Sequence, residues 1–201
     1  MLAIMDYGAG NLHSVEKAFR FLGADAIVTQ KPKDIDNANS VVVPGVGAFG
    51  DAREKLATSG MENALFRAIK SGKPVLGICL GLQLLFETSY ENGEYKGTGI
   101  LPGEIKQFCG DGLKVPHMGW NGLSFQEKSC PLFEGLQDGC QVYFVHSYYA
   151  PYTGQDFVAA TVDYGDVAIA AIHRDNLYAT QFHPEKSGDV GMRMLQNFLA
   201  L

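Results

Sequence analysis

The chain has 201 residues, 46% of them hydrophobic, enough to bury a sizeable core in one domain. A formal net charge of −6 and a sequence pI near 5.3 argue against nucleic acid or an anionic membrane as the main partner. Its cysteines, Cys79, Cys109, Cys130 and Cys140, lack framework spacing, and no apolar run approaches the roughly 20 residues of a membrane span, so a disulfide scaffold and a membrane protein are both disfavoured.

The opening Met1-Leu2-Ala3-Ile4-Met5-Asp6 carries no basic leader or cleavage site and reads directly as a first strand, so the expected location is the cytoplasm. Leu12, Val15, Phe19 and Leu22 follow at helical spacing behind Asn11 as N-cap. Ala26 to Thr29 and Ser40 to Val43 predict the next two strands. The glycine-rich Pro44-Gly45-Val46-Gly47-Ala48-Phe49-Gly50 and a helical stretch with Met61, Leu65 and Ile69 come after them. Val75, Leu76 and Ile78 make a fourth strand, and Leu80, Leu84 and Leu85 suit a packed helix behind it. This alternation predicts an α/β fold: a mostly parallel central sheet with flanking helices, and ligands at the carboxyl ends of the strands. From Gly97 to Ile172 the Gly, Pro, Tyr and β-branched content predicts a strand-rich segment of mixed direction. A strand around Leu177 to Phe182 and a helix with Val190, Met194 and Phe198 close the pattern. With no repeat, low-complexity tract or linker, residues 1–201 read as a single domain.

The chemistry concentrates at Pro74-Val-Leu-Gly-Ile-Cys-Leu-Gly-Leu-Gln-Leu-Leu-Phe86, where Cys79 falls at the junction of a buried strand and a helix. Gly77 and Gly81 flank it by two residues on each side, which lets the central residue adopt a strained conformation and project outward. That is the nucleophile-elbow pattern with sulfur in place of serine oxygen. The helix N-terminus favours thiolate, and the amide of Leu80 faces a developing oxyanion. A free thiol is more commonly a buried, inert packing group, so the reading requires a base. His183 and Glu185 supply it: Pro184 biases His183 towards an extended backbone, residues two apart then share a face, and Glu185 reaches one imidazole nitrogen. The other nitrogen is left for sulfur, the division of labour in a nucleophile-base-orienter triad. His13, His117, His146 and His173 are scattered and show no metal-ligand spacing, so no metal is assigned. The Pro44 to Gly50 loop matches neither the dinucleotide nor the P-loop pattern; it reads as a second oxyanion donor or as a plain turn.

Gly77-Ile-Cys-Leu-Gly81, Pro44-Gly-Val-Gly47 and Phe182-His-Pro-Glu185 together resemble the class I, triad-type glutamine amidotransferases, nearly end to end. Asp6-Tyr-Gly-Ala-Gly-Asn11, Val43-Pro-Gly-Val-Gly-Ala-Phe49 and Pro116-His-Met-Gly-Trp-Asn121 are similar, more narrowly, to the glutaminases that serve imidazole glycerol phosphate synthesis. His13 stands where that group more often has Arg. The resemblance implies a flavodoxin-like α/β fold and hydrolysis of L-glutamine through a cysteinyl thioester on Cys79, with His183 and Glu185 as base and orienter. Ammonia would pass to a separate (βα)8-barrel cyclase subunit in histidine biosynthesis, with no cofactor. It further implies oxyanion donors at Val46, Gly47 and Leu80, glutamine contacts at Gln83, Ser147 and Tyr148, and a cyclase-facing surface with Asn11, Met118, Trp120 and Asn121. Read without the resemblance, Gln83 is an ordinary helix residue and the Tyr-rich run a core strand. Two rivals stay open: a stand-alone cysteine hydrolase or peptidase of similar fold, and a non-catalytic assembly module with a vestigial elbow. Competition by glutamine for a glutamine-like electrophile at Cys79 separates the first; loss of a triad member would mark the second.

Overall fold

The computed structural model describes every residue except Asp111 and Lys128. The first half alternates as the apolar runs dictate: β1 (Leu2–Met5), α1 (Leu12–Phe21), β2 (Ala26–Thr29), α2 (Pro32–Asn37), β3 (Ser40–Gly45), α3 (Phe49–Thr58), α4 (Met61–Lys70), β4 (Val75–Cys79) and α5 (Leu80–Gln83). The second half supplies β5 (Thr88–Ser89), β6 (Tyr95–Lys96), β7 (Glu104–Gln107), β8 (His117–Gly122), β9 (Ser124–Phe125), β10 (Gln141–His146), β11 (Tyr148–Tyr149), β12 (Val158–Tyr164), β13 (Asp166–Arg174), β14 (Leu177–Thr180) and α6 (Gly188–Leu199).

Eight strands form the main sheet in the order β2-β1-β3-β4-β14-β13-β12-β9. Pairing is parallel from β2 through β14 and antiparallel from β14 to β9. Strands β1 and β4 are buried at every position, as expected of parallel strands covered on both faces. Alternate residues feed two cores. Ile4, Val42 and Leu76 pack with Phe19 of α1 and Phe198 of α6, while Ala3, Val41 and Val43 pack with Leu56 of α3 and Leu65 of α4. Among the described residues, no helix is long and apolar enough to cross a membrane.

Several elements differ from the sequence expectation. Asn11 precedes α1 but makes no side-chain cap, and Leu22 lies just past the helix. Strand β3 runs on through Pro44 to Gly45, pairing Gly45 with Cys79. The stretch with Met61, Leu65 and Ile69 forms α4 as expected, but an unexpected helix, α3, precedes it, and Gly60 at φ +76° separates the two. The strand-rich second half does not stand apart: β12 and β13 extend the main sheet, with β14 between them and the parallel half. Two small sheets, β10-β8 and β11-β7-β5-β6, complete the fold. The arrangement brings the carboxyl ends of β3, β4 and β14 side by side, so Cys79 is flanked by Gly45 and by the residues that follow Thr180.

Candidate active site

Cys79 ends β4 with φ +55° and ψ −108°, a backbone conformation that costs a non-glycine residue about 1–3 kcal/mol. Neither flanking glycine shares that conformation; each is there for space. A β-carbon on Gly81 would overlap the carbonyl oxygen of Val43, and one on Gly77 would meet the backbone of Gly81 and the side chain of Ala179 at 3.0 Å. The short α5 therefore settles directly onto the sheet, and the turn into it pushes Cys79 into the cleft. Leu80 opens α5, so its N–H has no partner within the helix. The helix ends at Gln83, shorter than the apolar spacing predicts, and Leu84 and Leu85 pack beyond it.

His183 and Glu185 meet, but not along a strand. His183 is extended, and Pro184–Lys186 then forms a 3-10 turn that folds the Glu185 carboxylate back onto the ring. His183 Nδ1 to Glu185 Oε1 is 2.8 Å, with the two side chains 3% and 1% exposed. A carboxylate accepts, so Nδ1 donates and Nε2 faces the sulfur. The backbone is clamped as well: His183 N–H donates to Tyr143 O (3.0 Å), and the Ser187 hydroxyl donates to His183 O (2.7 Å). Burial by itself pulls the imidazole pKa down. Hydrogen bonds and charge from Cys79 and Glu185 outweigh it and carry the pKa up to about 9. The geometry thus favours a protonated His183 at neutral pH.

A cleft of about 390 Å³ opens over this pair, a size suited to an amino acid. Val46, Gly47 and Leu80 line it beside Cys79, and Gln83, Ser147, Tyr148 and His183 line the remainder. Every residue expected to be catalytic, oxyanion-stabilising or substrate-binding therefore borders the cleft or, for Glu185, stands behind it. Gln83 is buried; its Nε2 donates to Tyr148 O (2.9 Å) and to Gln181 Oε1 (3.0 Å). Gln181 in turn directs its Nε2 at Cys79 Sγ, 3.7 Å away.

Sequence reasoning passed over Gln181, Glu91 and two histidines. Gln181 is a fully buried polar residue directly after β14, a signal hidden by the apolar residues around it. Glu91, on the loop after β5, borders the cleft and accepts the Phe49 N–H at 2.7 Å; burial raises its carboxyl pKa, an effect the Phe49 N–H opposes. His117 and His146, 29 residues apart in sequence, lie opposite each other in the β8-β10 pair with ring nitrogens 3.1 Å apart. On the same strand, Met118 and Trp120 are 61% and 57% exposed, whereas the Asn121 amide turns inward to His117 and Asp163 O. Asn11 is half-exposed. Among the described residues, Glu127, Cys130 and His173 bring three metal-type donor atoms within 4.8 Å of one another. None of them borders the Cys79 cleft, and burial pushes the Cys130 thiol up to about 12.

Residues 3–201 match the family model for glutamine amidotransferase class-I, and the chain belongs to that family. At 50% identity it is similar to the imidazole glycerol phosphate synthase subunit HisH of Syntrophotalea carbinolica, over 98% of both chains. Identity is also 50% to the subunit of the same name from Methanothermobacter thermautotrophicus, over 100% of this chain and 98% of that one. Among solved structures, PurLQS from Thermotoga maritima shares the fold, with a TM-score of 0.75 at 19% identity over 99% of this chain and 97% of the other.

Proposed function

We propose that residues 1–201 act as a single glutaminase domain, the ammonia-producing subunit of an imidazole glycerol phosphate synthase. The observation that carries this reading is the Cys79–His183–Glu185 constellation, set in an amino-acid-sized cleft of a chain half-identical to HisH subunits along its whole length. The Cys79 thiolate attacks the side-chain amide carbon of L-glutamine. The amides of Leu80 and the Val46–Gly47 loop receive the oxyanion, and the His183 imidazolium gives its proton to the departing ammonia. His183, now neutral, takes a proton from water, which attacks the thioester and releases glutamate. Glu185 holds the ring and its tautomer throughout. Gln83 and the backbone at Ser147 and Tyr148 hold the amino-acid end, and Glu91 offers the carboxylate that an α-ammonium group requires.

The ammonia passes to a (βα)8-barrel cyclase subunit docked on the face carrying Asn11, Met118 and Trp120, in a cytoplasmic heterodimer without cofactor. Exposed Met118 and Trp120 on β8, the strand that follows the cleft-lining Pro116, and four free cysteines support that reading. The test is glutamate release by this chain with and without a candidate cyclase and its ribonucleotide substrate. Turnover that rises on adding both is expected. Hydrolysis of a peptide or ester, with no protection of Cys79 by glutamine, would replace the proposal with a stand-alone hydrolase.

A further inference from the structure

From the cleft wall at His146 a run of side-chain hydrogen bonds leads away from the cavity, and its donors and acceptors fit in only one sense. Tyr148 O only accepts, so His146 Nδ1, 2.9 Å from it, carries a proton. In a neutral ring His146 Nε2 is then an acceptor, and it receives the Nδ1–H of His117 at 3.1 Å. His117 Nε2 accepts in its turn from Asn121 Nδ2, 3.3 Å away, whose second hydrogen goes to Asp163 O at 2.9 Å. Asn121 Oδ1 receives the Gly122 N–H at 2.8 Å, which fixes the amide's orientation. The rings have little room to turn. His117 is stacked between Phe144 (4.6 Å) and Tyr164 (3.9 Å), and Phe108 packs on His146 at 5.3 Å. Burial among these rings lowers the pKa of His117 to about 4 and of His146 to about 3, so both are neutral at pH 7, as the pattern demands.

The run ends on a carbonyl that matters to the cleft. Tyr148 O takes one hydrogen bond from His146 and a second from Gln83, so the peptide after Tyr148 is held from behind while Ser147 and Tyr148 face the cavity. We propose that Asn121, His117 and His146 form a single-tautomer relay that makes His146 a positioning residue for glutamine, tying the amino-acid end of the cleft to strand β8. His146 borders the cleft but hydrogen-bonds neither the sulfur nor the Glu185 carboxylate; its effect on glutamine is through the Tyr148 carbonyl that it holds. The relay's far end shares β8 with the exposed Met118 and Trp120, so displacement of that strand is felt at Tyr148 through hydrogen bonds rather than through the sheet alone.

The inference rests on the reading of the cleft as a glutamine site, and the experiment separates the two. Cys79 is alkylated with the glutamine-like electrophile diazo-oxo-norleucine, and the glutamine concentration giving half-protection is measured for wild type, His146→Asn and His146→Gln. An asparagine amide nitrogen falls near the Nδ1 position and keeps the bond to Tyr148 O; a glutamine amide reaches the Nε2 position and loses it. His146→Gln should raise the half-protection concentration about tenfold, the size of one hydrogen bond, with His146→Asn within about threefold of wild type. In parallel, nitrogen-15 spectra of the wild-type histidines at pH 7 should show His117 and His146 both protonated at Nδ1 alone. Equal behaviour of the two variants, or an Nε2–H form of either ring, overturns the relay. Failure of glutamine to protect wild-type Cys79 overturns the glutamine site, while the imidazole spectra still decide the relay. Should a variant not fold, the same spectra decide.

Discussion

At the level of single residues, the strained Cys79 and the raised His183 pKa define what the site is poised to do. Cys79→Ser should leave the fold intact and lower glutamine-dependent glutamate release by roughly a thousandfold or more, since a hydroxyl beside this imidazole is a far poorer nucleophile. Retained turnover would remove Cys79 from the mechanism. With its pKa near 9 against an ordinary 6.5, His183 keeps its proton through neutral pH and gives it up only as the pH rises through about 9. The acylation half-reaction, which spends that proton on ammonia, should hold level from pH 7 to about 8 and decline beyond. Single-turnover measurement of ammonia release across pH 6–10 checks this; an increase through pH 9 would mean that His183 works as a neutral base in that step. Glu185→Gln should be milder than His183→Ala, because it perturbs the ring's orientation and charge and leaves the proton-carrying group in place.

At the level of elements, the site depends on two glycines for unlike reasons. Gly81→Ala drives a methyl group into the Val43 carbonyl and should destabilise the protein by several kcal/mol, read as a lower denaturant midpoint or loss of soluble protein. Gly47 has open space around it but sits at φ +102°, so Gly47→Ala should cost only about 1–2 kcal/mol of stability while impairing glutamate release much more. If Gly47→Ala left turnover unchanged, the loop would be a plain turn and no oxyanion donor. Tyr7 belongs to the same device: its buried hydroxyl donates to Pro44 O at 2.7 Å, holding the strand end from which that loop springs. Strands β1 to β4 and helices α1, α4 and α6 were legible because each buries a regular apolar face. Helix α2 was not, since Pro-Lys-Asp-Ile-Asp-Asn buries only Ile35, and α3 was obscured by the glycine-rich loop before it. The meeting of Cys79, His183 and Glu185 was legible through the glycines around Cys79 and through Pro184, all local signals. Gln181 and the His117–His146 pair were not, because their roles arise from strand pairing across long stretches of sequence, where spacing carries no information.

For the whole molecule, the buried neutral histidines set an acid limit. His117 and His146 titrate near 4 and 3 when folded and near 6.5 when unfolded. Below pH 6.5 the unfolded chain therefore binds more protons, and stability falls by about 1.4 kcal/mol per pH unit for each ring until its folded pKa is reached. Denaturant midpoints measured from pH 7 down to 5 should drop on this account, and His117→Phe should flatten the slope by about half. An unchanged slope would mean that the rings are not held neutral.

Strand β14 lies between β4 and β13, with Leu177 paired to Val75 across about a hundred residues of chain. The middle of the sheet is thus made after the seven other strands of that sheet, and the turn after it delivers Gln181, His183 and Glu185 together. Until then Cys79 has Gly45 beside it but lacks His183 and Gln181, and the two halves of the sheet have no seam to join along. Closing so long a loop is slow compared with local helix formation, so the pairing that joins the two halves of the sheet is also the one that brings His183 to Cys79. Under the proposed mechanism an incompletely folded chain carries an elbow that cannot consume glutamine, which ties the first moment of chemical competence to the completion of the sheet.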